Sequence, residues 1–296
     1  MRKLPPPSKL PIFPQWYECL AARFSAFAIA SLLLSAALCG QSSLPETIVS
    51  DARLSSRASD MQPLLRARKY VALFFEQSTN VVCAESVLQT VIGKNGKPAY
   101  REESKYDYQL EAVSTSGNLK LLESRDVRKQ AFRDPARTLL ITKGFASLLL
   151  IAHSQYESSY DFEPAGEEND GTVTLARFNF KPVPGASSPA ALQLRGKNYP
   201  LPLSGTIWIN KATGAITRLL VAVDSSLSDL GLQGMQSDIH YALVQFHNPD
   251  EAYWMPVSAT IDLQTPLQHW RNVHRFTGYR RFRGTIEIEG IKDSQK

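Results

Sequence analysis

One segment of the chain strongly restricts its fold, the stretch SGTIWINKATGAITRLLVAVD at residues 204–224. Two runs rich in β-branched residues flank the four residues Lys-Ala-Thr-Gly, which is the pattern of a β-hairpin. Gly214 suits the last position of such a turn, where the backbone enters the left-handed region. The returning run, residues 215–223, is apolar on both faces except at Thr217 and Arg218. This pattern predicts an internal strand that is buried on both faces, with a helix covering one of them.

Strand patterns of the same kind, separated by turn residues, recur along most of the chain. Asn95 and Gly96, within KNGK, form the strongest short-range signal for a hairpin. Apolar residues at three-to-four spacing predict a helix over residues 62–77, and a block of leucines predicts a second helix over residues 142–153. We therefore predict one α+β domain at residues 61–290, a curved and mostly antiparallel half-barrel sheet wrapped over a few helices.

The beginning of the chain has the pattern of a secretory signal. An apolar run at residues 24–38 follows four basic residues and precedes a small polar stretch. Residues 1–40 are predicted to be a signal peptide, with an uncleaved N-terminal anchor as the alternative, and residues 41–60 a flexible tether. Lipidation at Cys39 is less favoured, because Leu38 stands where lipoprotein signals have a small residue. The mature protein is predicted to be secreted across the inner membrane into the periplasm.

Removal of the signal changes both the cysteine count and the charge. Cys83 is then the only cysteine, so no intramolecular disulfide can form, and its apolar neighbours predict a buried, inert thiol. Residues 1–40 hold four of the 33 Lys and Arg residues and one of the 28 Asp and Glu residues, which leaves a net charge of +2. A nearly neutral, secreted chain gives no argument for a nucleic-acid partner. The acidic stretch at residues 161–170 predicts a solvated loop, and it lacks the residue order of a calcium loop.

The sequence lacks the motifs of the common enzyme classes, among them Gly-x-Ser-x-Gly, His-Glu-x-x-His and Gly-x-Gly-x-x-Gly. His269 and His274 are five residues apart, and His240 and His247 seven. An odd separation places two side chains on opposite faces of a regular strand, so neither pair suits a metal. We predict no catalytic residue, no metal and no cofactor. An enzyme would need residues such as Asp238 and His240 to converge with others in one pocket.

The most basic segment, HWRNVHRFTGYRRFRG at residues 269–284, interleaves cations with aromatic residues. A half-exposed strand has this pattern when its cations face solvent and its aromatic residues face the core. A surface that contacts anionic lipid head groups has it too. The residues predicted for such a contact are Arg275, Arg280, Arg281 and Arg283.

The hairpin and its neighbouring strands resemble those of a known superfamily. In IWINKATGAITRLLV a strand ends in an Asn-Lys-x-Thr-Gly turn and returns with apolar residues and Arg218. Together with the preceding helix LLRARKYVALFFEQ, this resembles the LolA/LolB-like and RseB-like half-barrels of the periplasmic lipoprotein-carrier superfamily, over about residues 60–285. The chain looks closest to uncharacterised secreted bacterial proteins of that type.

The resemblance implies a non-catalytic protein of the cell envelope that binds a lipid-like or acylated ligand, such as a lipoprotein, in an apolar hollow. The residues expected to line the hollow are Phe145, Leu148, Leu149, Leu219 and Val221. A second hypothesis is a structural or sensory protein-interaction module whose hollow is filled by its own side chains. A cavity of several hundred Å³ would separate the first hypothesis from the second.

Overall fold

A computed structural model gives the fold of the chain. It describes residues 47–77, 80–115, 118–129, 144–171, 173–194, 197–223, 227, 231–246 and 251–281. The predicted signal peptide, with Cys39, and Arg283 of the predicted basic surface lie outside these residues. No helix in the described ranges combines the length and the apolar character that a membrane span requires.

The described residues form one α-helix, two short 3-10 helices and twelve strands. The α-helix is α1 (Thr47–Gln77), and the 3-10 helices are Ser147–Ala152 and Ser154–Ser159. The strands are β1 (Val81–Ile92), β2 (Pro98–Thr115), β3 (Asn118–Lys129), β4 (Tyr160–Asp170), β5 (Val173–Pro182), β6 (Ala191–Leu194), β7 (Lys197–Pro200), β8 (Leu203–Asn210), β9 (Ile216–Val223), β10 (Gly234–Gln245), β11 (Ala252–Gln264) and β12 (His269–Arg281).

Ten of these strands form a single sheet in the order β3-β2-β1-β12-β11-β10-β9-β8-β5-β4. Each neighbouring pair in this order is antiparallel, and β6 and β7 form a separate antiparallel pair. The first and last strands of the order, β3 and β4, do not pair with each other, so the sheet stays open. The predicted α+β fold with a mostly antiparallel, half-barrel sheet is confirmed.

The hairpin at residues 204–224 corresponds to β8, β9 and the turn between them. Gly214 has a φ of 77°, and its backbone N–H donates to the carbonyl oxygen of Asn210 at 2.8 Å. The Asn210 side-chain oxygen accepts from the backbone N–H groups of Ala212 and Thr213 at 2.9 and 3.1 Å. These bonds close the predicted turn. The prediction that β9 is buried on both faces is wrong, because its residues alternate between buried and half-buried. One face of this internal strand remains partly open to solvent.

The helix α1 begins earlier than predicted. It starts at Thr47 instead of residue 62, so residues 47–60 of the predicted tether are helical, and it ends at Gln77 as predicted. The sequence between residues 47 and 62 contains neither glycine nor proline, so nothing in the backbone interrupts a helix there. Pro63 consequently lies inside the helix and not in its first turn.

The second predicted helix, over residues 142–153, is not an α-helix. Its described part begins with a turn in which Gly144 has a φ of 100°, and two 3-10 helices of six residues each follow. His153 separates them with extended backbone angles. The leucine-rich composition marks a buried segment correctly, but the extended backbone of His153 ends the first short helix after six residues.

The core is one hydrophobic cluster that joins α1, the first 3-10 helix and one face of the sheet. We call this sheet face, which carries Leu219, Val221 and Ile239, the inner face. The buried side of α1 contributes residues such as Leu64 and Phe74. The other sheet face, with side chains such as Arg218, is called the outer face. The apolar core of the chain therefore lies on the inner face.

The acidic residues 161–170 form β4 and not a loop, and β4 lies at one edge of the sheet. A bulge interrupts its pairing with β5 between Pro164 and Glu167. Most of its side chains remain exposed, as expected of a solvated segment. Lys181 and Lys211 form ion pairs with Glu163 and Glu167.

Candidate functional site

Four of the five side chains predicted to line a ligand hollow are buried in the hydrophobic core. Phe145, Leu149, Leu219 and Val221 are each no more than 2% exposed and belong to the same hydrophobic cluster, while Leu148 is half-buried and packs against it. Whether these residues bind a ligand stays a prediction.

A cavity of about 180 Å³ lies elsewhere, at β1, β2 and β3. Its lining residues are Asn80, Val81, Gln109, Leu110, Glu111, Leu122 and Ser124. None of the five predicted lining residues contributes to it. This small, partly polar cavity is therefore separate from the predicted hollow.

Residues 144–152, called the covering segment, are attached to the sheet by side chains. The Glu123 carboxylate of β3 accepts from the backbone N–H groups of Gly144 at 2.7 Å and Ser147 at 2.9 Å, and from the Ser147 hydroxyl at 2.8 Å. The Tyr241 hydroxyl of β10 donates to the carbonyl oxygen of Phe145 at 2.8 Å. The segment thus rests on the inner face through a few specific bonds and through its apolar side chains, without pairing as a strand.

Beneath the covering segment lies a buried polar cluster that consists of Glu85, Arg125 and His274. Their side chains, on β1, β3 and β12, are 0%, 11% and 2% exposed. The Arg125 guanidinium binds the Glu85 carboxylate with two nitrogens, and Nη2 lies 2.7 Å from Oε1. His274 Nδ1 lies 2.7 Å from the same Oε1. One buried carboxylate therefore holds a cation and an imidazole together.

The electrostatics of this cluster leave His274 neutral near pH 7. Burial lowers its pKa below the ordinary value, and the Arg125 charge acts in the same direction, while Glu85 opposes both. The Phe145 ring covers the imidazole, with 4.8 Å between ring centroids, and lies 5.9 Å from the Arg125 guanidinium carbon. The covering segment thus touches both the apolar cluster and this polar cluster.

The sequence did not predict the polar cluster. Glu85 and Arg125 are 40 positions apart, and Glu85 and His274 are 189 apart, so no local spacing joins them. One signal was available: Glu85 is a charged residue inside the apolar run VVCAESV of a predicted strand. A charge at an inward position of a strand usually has a partner.

Cys83 lies on the same face, two residues before Glu85, and is buried as predicted. The pKa of its thiol is raised to about 12. Burial is the largest cause of this rise, whereas a hydrogen bond with the Tyr279 hydroxyl lowers the pKa. A thiol with this pKa is not a nucleophile at neutral pH.

The predicted basic residues are divided between different surroundings. Arg275 and Arg280 are exposed on the outer face of β12. Arg281 is half-buried, and its Nη1 lies 3.2 Å from an Oε2 oxygen of Glu251. Arg281 therefore does not belong with the two exposed arginines, whose contact with an anionic membrane surface stays a prediction.

The residues considered for an enzyme lie on the outer face. His240 Nε2 is 3.4 Å from Asp238 Oδ1, and Arg218 binds the same carboxylate with Nε at 2.8 Å and Nη2 at 2.7 Å. The Trp208 ring lies under the Arg218 guanidinium at 4.6 Å. Within the described part of the chain, no group of three or more His, Cys, Asp or Glu residues is arranged to hold a metal ion.

Together these features define a class: an open, antiparallel half-barrel of the α+β type whose covering helices lie on one face. Among solved structures the chain is similar to a LolA superfamily protein from Nitrosomonas europaea, with 7% identity, a TM-score of 0.39 and coverage of 74% of this chain and 94% of that one. This neighbour carries the name of the superfamily that the hairpin sequence resembles.

Two further solved structures are similar to the chain. One is a DUF1329 family protein from Desulfovibrio piger, with 13% identity, a TM-score of 0.39 and coverage of 75% of this chain and 95% of that one. The other is a putative outer membrane lipoprotein-sorting protein domain from Vibrio parahaemolyticus, with 12% identity, a TM-score of 0.35 and the same coverages. No family model and no curated protein matches the sequence.

Proposed function

We propose that the protein is a non-catalytic, periplasmic protein that binds a lipid-like or acylated ligand on the inner face, beneath the covering segment. The observation that carries this proposal is the attachment of that segment. Glu123 and Tyr241 hold it by side-chain bonds over an apolar surface, so it can leave the sheet without breaking strand pairing. Once it moves, the apolar side chains that it contacts on the inner face, such as Phe276 of β12, become available to an acyl chain.

The close packing of the inner face supports a second candidate function. Phe145, Leu149, Leu219 and Val221 are all buried in one hydrophobic cluster, as they would be in a structural or sensory protein-interaction module with a filled core. The two candidates differ in one respect, which is whether the covering segment exchanges its place with a ligand.

Native mass spectrometry tests the first candidate. The full chain is purified from membranes in mild detergent, then incubated with phosphatidylglycerol or phosphatidylethanolamine, and lipids that co-purify are extracted and identified. We expect one bound lipid per chain. The variant Leu148→Asp should weaken lipid binding by about tenfold or more, because it places a charge at the border of the apolar cluster.

The matched control is Leu267→Asp, which introduces the same charge at a leucine that is 93% exposed at the β11–β12 turn. We expect the control to bind lipid as the unchanged chain does. Near-UV circular dichroism of both variants shows whether their tertiary packing is retained. A chain that stays free of lipid under gentle conditions, with all variants folded, would support the filled interaction module instead.

A further inference from the structure

A second polar feature of the inner face is a row of three buried side chains on adjacent strands. Gln89 of β1 lies directly opposite Glu102 of β2 on one side and Asn272 of β12 on the other. All three are buried, and so is the neighbouring Ser104. We call Glu102, Gln89 and Asn272 the polar row. Because the three positions share one register level, their side chains leave the sheet side by side.

Among the described residues of this half of the sheet, the buried carboxylates of Glu85 and Glu102 differ in their hydrogen-bond partners. Glu85 has the Arg125 guanidinium and the His274 imidazole as partners. Glu102 is 4% exposed, and its Oε2 accepts one hydrogen bond, from the Tyr100 hydroxyl at 2.8 Å. Its other oxygen, Oε1, is buried without a hydrogen-bond partner. A buried carboxylate oxygen without a donor is costly, so the donor is expected from outside the chain.

We propose that the polar row is a subsite for the primary ammonium group of an aminophospholipid. An ammonium group has three N–H donors and a positive charge. It would donate a hydrogen bond to Glu102 Oε1, which has no donor within the described chain, and would place its positive charge beside the buried carboxylate. This inference rests on the proposed function and specifies the head group of its ligand.

The surroundings of the row suit the rest of such a lipid. Along β1, the inward positions on either side of Gln89 are the apolar residues Val87 and Val91. Val91 lies opposite Trp270, which belongs to the hydrophobic cluster. A ligand whose ammonium group reaches Glu102 therefore has apolar surface within one register level for its acyl chains.

Isothermal titration calorimetry with short-chain, soluble lipids tests the proposal on the full chain after removal of detergent-extractable lipid. The probes are phosphatidylethanolamine, its N-acetyl derivative, which lacks the ammonium charge, and a lysine peptide. We expect phosphatidylethanolamine to bind about tenfold more tightly than the N-acetyl derivative. In Glu102→Gln this preference should disappear, while the affinity for the N-acetyl derivative stays unchanged.

The control is Glu103→Gln, which removes the same charge from the next residue of β2, on the outer face, where the side chain is 60% exposed. It should keep the preference for the ammonium group. Equal affinities of the unchanged chain for both lipids would overturn the subsite and leave the proposed function standing. Absence of any lipid binding would overturn the proposed function itself, and binding of the lysine peptide alone would overturn the assignment to a lipid.

Discussion

The side chain of Glu85 shows how a buried charge is stabilised on the inner face. Arg125 and His274 reach it from two other strands, and all three side chains are removed from solvent. Replacing Glu85 by glutamine leaves the guanidinium buried without its counter-charge. We expect Glu85→Gln to lower the free energy of unfolding by about 3–5 kcal/mol, measured by urea denaturation.

Glu102→Gln is the matched control for this measurement, since Glu102 has no cationic partner in the described part of the chain. It should leave the free energy of unfolding unchanged or raise it, because an amide is less costly to bury than an unpaired carboxylate. Equal losses of stability in the two variants would contradict the distinction that we draw between the two carboxylates.

The imidazole of His274 makes stability depend on pH. Its pKa in the folded chain is lowered, mainly by burial, so the unfolded chain binds a proton first as the pH falls. The neutral form therefore contributes stability above the unfolded pKa of about 6.5, and this contribution is lost as the pH falls through the lower folded value.

Urea denaturation at pH 7.5 and at pH 5.5 measures this effect, with His274→Gln as the comparison. We expect the unchanged chain to lose more stability between the two pH values than the variant loses. Glu85 and Arg125 face the imidazole in both measurements, so the difference isolates the proton on His274. A variant with the same pH dependence would show that other groups cause it.

Single residues also differ in how well the sequence predicts their surroundings. The apolar residues Phe145, Leu149 and Leu219 were recognisable because runs of leucine, valine and isoleucine mark a core wherever it forms. The partnership of Glu85 with Arg125 and His274 was not recognisable, because it depends on the register of four neighbouring strands, β3, β2, β1 and β12. That register follows from the whole sheet and not from local spacing.

At the element scale, Gly214 joins the β8–β9 hairpin to α1. Its φ of 77° is in the left-handed region, and a Cβ atom there would lie 2.7 Å from the backbone of Arg66 in α1. The Arg66 guanidinium in turn donates to the carbonyl oxygen of Lys211 in the same turn. A glycine is therefore required at position 214 both by the turn conformation and by the close approach of α1.

We expect Gly214→Ala to lower the melting temperature clearly more than Gly96→Ala does. Gly96 has a similar φ of 74°, but a Cβ atom there would meet nothing within 4 Å. The control thus carries only the strain of an alanine in the left-handed region, about 1–2 kcal/mol, whereas Gly214→Ala must also displace α1. Equal decreases in melting temperature for the two variants would mean that α1 moves away from the added methyl group without a measurable loss of stability.

The elements differ in how far the sequence determined them. Both hairpin turns, at Gly96 and Gly214, were predicted because turn residues act locally on the backbone. The covering segment was predicted as an α-helix, since its leucines suit one. Its position on the sheet depends on hydrogen bonds from the backbone N–H groups of Gly144 and Ser147 to the Glu123 carboxylate, and Glu123 lies more than twenty positions earlier in the chain.

At the scale of the whole molecule, an open sheet has two edges that must be protected. One edge, β4, carries acidic side chains on most of its exposed positions, which discourage pairing with a second chain. Its Glu167 interacts with Lys211 of the β8–β9 turn, and its Glu168 accepts from the Trp208 indole of β8, the strand beyond β5. The acidic stretch thus protects an edge, a role that a solvated loop would not have.

The covering segment decides between the two candidate functions for the molecule as a whole. Its backbone N–H groups at Leu148 and Leu149 donate to the carbonyl oxygens of Gly144 and Ala146. The sheet N–H groups of β9 and β10 belong to a continuous ladder of strand pairs. Local opening of the covering segment breaks only the few bonds that attach it, whereas exposure of β9 requires the sheet to come apart.

Native-state hydrogen exchange at several low urea concentrations measures the two opening processes. For a ligand-binding protein we expect the amides of Leu148 and Leu149 to exchange about a hundredfold or more faster than those of β9, with little dependence on urea. Added phosphatidylethanolamine should alter their exchange while β9 stays unchanged. If instead the covering segment and β9 exchange with one free energy and one urea dependence, the segment opens only when the whole sheet unfolds. The inner face would then be a permanent core, and the protein-interaction module would be the better description.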